Sequence, residues 1–215
     1  MALAVTRSGI TLELGGHNVI YGTRPGDAHG VTALFLGGGS SFVIQNGRIV
    51  QGGGGGTSGH AVYVREVARV RVCLVEVDVH GTDASGIVVV APADEVRVDH
   101  CTVACRTTTV TDRHYPGVAA VYVDGAPGAA QIDHNLVTAS PQWGIRLQGS
   151  TSSGDVLVHH NRVEGTRALV ANAYMLGIYK PDAEVFENRL VSTSRGIHVG
   201  GNDHPGRAWI HDNEI

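Results

Sequence analysis

The chain is short of several residue types, and each shortage excludes something. Aromatic residues make up only 5% of its 215 positions, lysine occurs once (Lys180) against 15 arginines, and there are three cysteines, Cys73, Cys101 and Cys105. Three irregularly spaced thiols are too few for a disulfide framework and lack the paired spacing of a zinc knuckle. No apolar run approaches the ~18 residues a membrane span needs. The opening Met1–Arg7 lacks the basic segment followed by an apolar stretch that marks a secretory leader. A formal net charge of −4 with no basic run gives neither the electrostatic footprint of a nucleic-acid binder nor that of a protein drawn to anionic membranes.

What is present is glycine, 30 residues, together with abundant valine and 42% hydrophobic content. Gly and β-branched residues are poor helix formers and Val favours strands, so the mixture speaks against a helical protein. High apolar content at low net charge speaks against disorder. The length fits one domain, or two at most.

Internal repetition decides the fold class. A pattern of apolar-x-apolar-x-x-(small or amide)-x-apolar appears at 12–19, 42–49, 70–77, 96–103, 130–137, 156–163, 183–190 and 208–215. Its sixth position falls on His17 first and Asn213 last, 196 residues apart over seven intervals, a mean period of 28. Between copies lies a second motif, small-apolar-x-apolar, as in Ala61–Val64, Ala120–Val123, Gly144–Leu147, Gly177–Lys180 and Gly196–Val199. Each period thus holds three short strands of period 2 and no helical stretch. Strands repeated this way cannot bury a face alone and must stack on their neighbours. An antiparallel sandwich would show turn signals every 8–12 residues without a fixed order of three strand types.

The corners at Asn135, Asn161, Asn188 and Asn213, with the opening Leu12-Glu-Leu-Gly-Gly-His17-Asn-Val19, make the chain resemble the right-handed parallel β-helix superfamily, the pectate-lyase-like group. The resemblance covers essentially all 215 residues. It implies a single all-β domain over 1–215, a right-handed single-stranded parallel β-helix of seven to eight coils with three short strands each. It also implies an amide ladder inside one corner, confined here to the C-terminal half because the earlier coils place His17, Gly47, Val75 and Cys101 there. At that position Cys101 reads as a small buried hydrophobe. Both ends fall on strands without a capping element, so a longer parent protein, or self-association through uncapped ends, is expected. The family places the protein outside the cell or in the periplasm.

The resemblance also supplies a frame for a site. The loops at 104–119 (16 residues) and 164–176 (13 residues) flank a 6-residue loop at 138–143. Coils lie about 4.8 Å apart, so two walls two coils apart would bound a groove roughly 10 Å wide, the width of a sugar chain. On this reading the outward first-strand positions are Phe35, Tyr63, Val88, Tyr122, Arg146, Tyr179 and His198, and the expected partner is a polysaccharide. Trp143 and Tyr122, with Asp112, Arg113 and His114 of the longest loop, are expected to contact it; Arg146, Tyr179 and His198 are expected to act on it. For each there is a plain alternative: Trp143 caps the core, and the others are ordinary surface residues. Lys180 has inward phase but precedes Pro181, which frees its side chain.

Family activities on this fold are uronate lyases, glycoside hydrolases and uronan epimerases. A calcium-dependent lyase needs several converging carboxylates, and the outward first-strand positions contain none. Hydrolysis needs an acid pair, for which only Asp112 and Asp124 are near. The Asp-Pro-His-Asp signature of the epimerases is absent. What remains is β-elimination or epimerisation with Tyr179 or His198 as base and Arg146 neutralising the uronate carboxylate. The rival reading is a non-catalytic scaffold or carbohydrate-binding segment, since fold does not decide function. Finally, Asp99-His100, Asp133-His134, His159-His160 and His211-Asp212 would stack into a surface column. It is either a polar ladder or, as His and Asp are competent ligands, a place for a divalent metal such as zinc or copper. The run Gly52–Gly56 lacks the Lys-Ser/Thr of a phosphate loop and reads as a turn.

Overall fold

The computed structural model describes residues 2–23, 29–53, 59–106, 118–125, 127–139, 143–149, 155–165, 174–179, 182–192, 195–200 and 208–215. Among them are nineteen strands and no helix, in one sheet whose pairings are parallel: a β-solenoid of about 6 turns. The turn count is slightly below the seven to eight expected. Among the described residues, Glu214 meets the coil before it in a single bridge to Arg189.

Inward alternation explains the strands. In β7 (Glu95–Asp99) Val96 and Val98 are buried, and in β10 (Ala129–Asp133) Ala130 and Ile132 lie directly above them. The pairing is parallel and in register, Val96 to Ala130 and Asp99 to Asp133; β8 (Thr102–Cys105) and β11 (Leu136–Ala139) continue it, Val103 facing Val137. The same inward column runs on through β13 (Val156–His159) and β16 (Ala183–Phe186). Each fully buried Val or Ile adds about 1.5–3 kcal/mol, and the coils supply several apiece.

Early in the chain the three short strands of a coil merge into one. β4 (Val31–Gln51) and β5 (Val62–Val79) each run unbroken around all three sides. β5 turns its corners at Glu66 (φ 54°) and Leu74 (φ 55°), without leaving the ladder. The Leu74 corner repeats in every coil from the second onward: Asn46, His100, His134, His160, Glu187 and Asp212 are all left-handed, φ 52–58°. For L-residues this costs roughly 1–2 kcal/mol each, and in the later coils the residue next along the chain offsets it.

In the later coils that residue is an asparagine, and its copies form the amide ladder. Asn135, Asn161 and Asn188 are buried, and two adjacent rungs show the pattern: Asn161 Oδ1 accepts the backbone N–H of Asn135 one coil below, and Asn188 Oδ1 that of Asn161. Each Nδ2 donates to an earlier carbonyl: Asn135 to Val98, Asn161 to Ile132, Asn188 to Val158 and Asn213 to Val185. Below Asn135 the thiol of Cys101 takes the amide's place. It points at Val72 O (3.5 Å), receives the backbone N–H of Val75, and is driven up to about 12 by burial, so it is no nucleophile. Cys101→Asn should therefore add a rung. The expected gain is about 0.5–1.5 kcal/mol, read as a rise of a few degrees in melting temperature. In the first coil His17 does not join the column; Leu14 fills the corner and packs where a side chain on Gly47 would sit.

Candidate functional site

Above the opening stretches of β4 and β5, five strands continue the first side of the solenoid: β6 (Ile87–Val90), β9 (Ala119–Asp124), β12 (Trp143–Gln148), β15 (Tyr174–Tyr179) and β18 (Arg195–Val199). Their inward residues belong to the main core, while their outward residues build a second apolar cluster on the outer face. Val88, Ala119, Tyr122 and Trp143 are buried there, with Tyr63, Val90, Tyr174 and Tyr179 packed against them.

At its centre is Arg146. Its guanidinium carbon lies 4.9 Å from the Trp143 ring centre, 5.4 Å from Tyr179 and 5.6 Å from Tyr122. Its Nη2 donates to Gln148 Oε1, which fixes the fork. A cation so placed is held by ring quadrupoles and by exclusion of water. Trp143 stacks on Tyr174 (5.1 Å, 24°) and meets Tyr179 edge-on (5.8 Å). His198 closes the group, 4.5 Å from Tyr174 and 5.2 Å from Tyr179. Arg146, Tyr174, Tyr179 and His198 are half-buried, so this side of the cluster is the part that meets solvent. Burial pushes the Tyr179 phenol above its ordinary range, against a smaller opposing pull from Arg146, so the hydroxyl stays protonated and serves as a donor.

The structure thus brings five of the expected residues together and buries two of them. Tyr122, expected to touch substrate, is 0% exposed, and Trp143 is 6% exposed with Tyr174 and Arg146 against it. Neither offers an open platform, and both act as packing. Tyr179 is not the counterpart of Arg146: the register pairs Arg146 with Gly177 and Gln148 with Tyr179. The inward pair of β15 is Leu176 and Ile178, matched to Ile145 and Leu147, and the Trp143 ring occupies the space beside Gly177 that a side chain would need. A slip of two residues preserves the inward–outward alternation, so the pattern alone could not detect it. Tyr174 was missed for the same reason, and Gln148 because it lies beyond the four-residue motif. Asp112, Arg113, His114 and Lys180 lie outside the described residues, as do most of the two expected groove walls.

The corner column is a polar network. Asp99, with a side chain only 4% exposed, takes both nitrogens of Arg71 at 3.0 Å and lies 3.3 Å from Arg97, which reaches Asp133 at 3.5 Å. Burial opposes ionisation of Asp99, but the bonds from Arg71 and His100 outweigh it and hold the carboxyl below its usual range. His100 and His134 bond through Nδ1 to the Asp preceding each, and the rings of His100, His134 and His160 stack at 4.9 and 4.8 Å. No group of three or more His, Cys, Asp or Glu among the described residues is placed to hold a metal ion. A parallel file, His159, Phe186 and His211, stacks beside it at 4.8 and 5.3 Å.

Compared with known protein families, curated proteins and solved structures, the chain matches none.

Proposed function

We propose that this chain is a pectate-lyase-like, polysaccharide-directed β-helix protein that takes a uronate-containing polymer on the outer face of β12, β15 and β18 and acts outside the cytoplasm. The observation that carries the reading is Arg146, a cation fixed among three rings beside the half-buried Tyr174, Tyr179 and His198. A positioned guanidinium suits a sugar carboxylate, and exposed aromatic faces suit the apolar face of a pyranose. If the protein is a lyase or epimerase, His198 is the base for the proton α to that carboxylate, Arg146 stabilises the enediolate, and Tyr179 donates a hydrogen bond. A second reading, a non-catalytic scaffold or binding segment, is favoured by one observation: Trp143 and Tyr122 are consumed in packing.

The test is a panel of acidic and neutral polysaccharides, scored for binding and for unsaturated or epimerised product. Arg146→Ala is expected to weaken acidic polymers by at least about tenfold, the equivalent of one charge-assisted contact, while leaving neutral ones unchanged. His198→Ala should lower turnover with binding intact, because a base acts on the transition state. Binding without turnover selects the binding-segment reading. No binding by any polymer removes the polysaccharide reading altogether.

A further inference from the structure

The outer aromatic file does not end at Tyr63. His29 stacks on Tyr63 (4.7 Å, 20°) and on His60 (5.1 Å, 20°), and His60 meets Tyr63 at 5.5 Å. These rings form the entrance to the first strand in the early coils, where the chain must turn into β4 and β5. The backbone there is tied by side chains in addition to ladder bonds such as Gly30 N–H to His60 O (3.0 Å) and Ala61 N–H to Ser85 O (3.2 Å). His60 N–H donates to His29 Nδ1 (3.0 Å), Ser85 N–H donates to His60 Nδ1 (3.2 Å), and Ala119 N–H donates to Ser85 Oγ (3.3 Å). Successive coils are therefore joined by one side-chain acceptor each. In the two lower rungs that acceptor is an imidazole nitrogen, which can accept only while it carries no proton.

We propose that His29 and His60 form an acid-released latch: neutral, Nε2-protonated rings that tie the entrance of one coil to the next and let go when Nδ1 is protonated. Protonation would turn both Nδ1 atoms from acceptors into donors facing backbone N–H groups, and would place two cations 5.1 Å apart. Apart from burial, His60 is influenced by the charge His29 would carry, and Tyr63 packs against both rings. A proton on one ring thus opposes a proton on the other. Burial, the largest influence, lowers His29 and drives His60 down to about 3.

Acid weakens the latch, and alkali leaves it intact. The unfolded chain takes up a proton at each site near pH 6.5, whereas folded His60 resists until about pH 3. Stability from the latch is therefore complete above pH 6.5 and is lost progressively as the pH falls toward 3. The inference is independent of what the outer face binds.

The experiment compares thermal melts at pH 7.5 and pH 4 for the wild type and for the His29→Asn/His60→Asn variant. Asn places Oδ1 near the Nδ1 position, so it keeps the acceptor and removes the titration. The wild type is expected to lose on the order of 10 °C, and the variant less than half of that; the share of the loss that comes from Asp99 is the same in both. Equal losses in the two proteins overturn the latch. Imidazole NMR of the unmodified protein gives a second decision should the variant not fold. A His60 ring in the Nε2–H form that does not titrate between pH 7.5 and 5 supports the latch, and titration near 6.5 overturns it.

Discussion

Asn161→Ala is expected to lower the unfolding free energy by about 3–5 kcal/mol, among the largest effects of any single substitution in this chain. The residue is 1% exposed and serves neighbours on both sides. Its Oδ1 accepts the backbone N–H and the side-chain Nδ2 of Asn135 (3.1 and 2.9 Å), and its Nδ2 reaches Ile132 O (2.8 Å), His159 O (3.0 Å) and Asn188 Oδ1 (3.0 Å). Alanine abandons all of these at once in a closely packed corner. Each buried group so stranded costs about 1–3 kcal/mol, less whatever the corner recovers by relaxing. The left-handed His160 beside it then loses the bonds that hold its backbone in place. Urea unfolding checks it: the midpoint should fall with an unchanged slope. A loss below 1 kcal/mol would mean that stacking alone carries the corner.

The corner and the inner cores were legible in the sequence because each is a constraint repeated every coil. Val96, Ala130, Val156 and Ala183 occupy one inward column, and a residue that breaks it is conspicuous among eight copies. The Asn ladder announced itself likewise, and its absence from the early coils gave Cys101 its place. The outer face was legible only in part. Its membership is set by side-chain size against one neighbour, not by a period. Trp143 lies flat because Gly177 is beneath it, and Gly177 is there because β15 is shifted by two residues relative to its motif. Outward aromatic residues on a solenoid would ordinarily be counted as solvent-facing, yet here they bury one another. The His29–His60 rungs left no signal, since they depend on one ring nitrogen each and on residues 31 apart.

The burial of Trp143 also separates packing from recognition. Trp143→Ala is expected to cost about 3–5 kcal/mol, the usual range for deleting a large buried aromatic, and it removes the ring nearest the Arg146 guanidinium. A sugar platform on an open surface would instead lose affinity with little change in stability. Gly177 turns the distinction into a cycle. A Cβ at position 177 would enter the Trp143 ring, so Gly177→Ala alone should cost about 1–3 kcal/mol through overpacking. Once the ring is gone that clash has no partner, and the added methyl fills part of the void. Gly177→Ala should then be neutral or stabilising in the Trp143→Ala background. The two changes are expected to be non-additive by more than about 1 kcal/mol, well outside the ~0.5 kcal/mol scatter of independent sites. Additive losses would place the indole away from Gly177. They would reopen the outer face to a ligand at the one position where the fold now fills it with its own side chain.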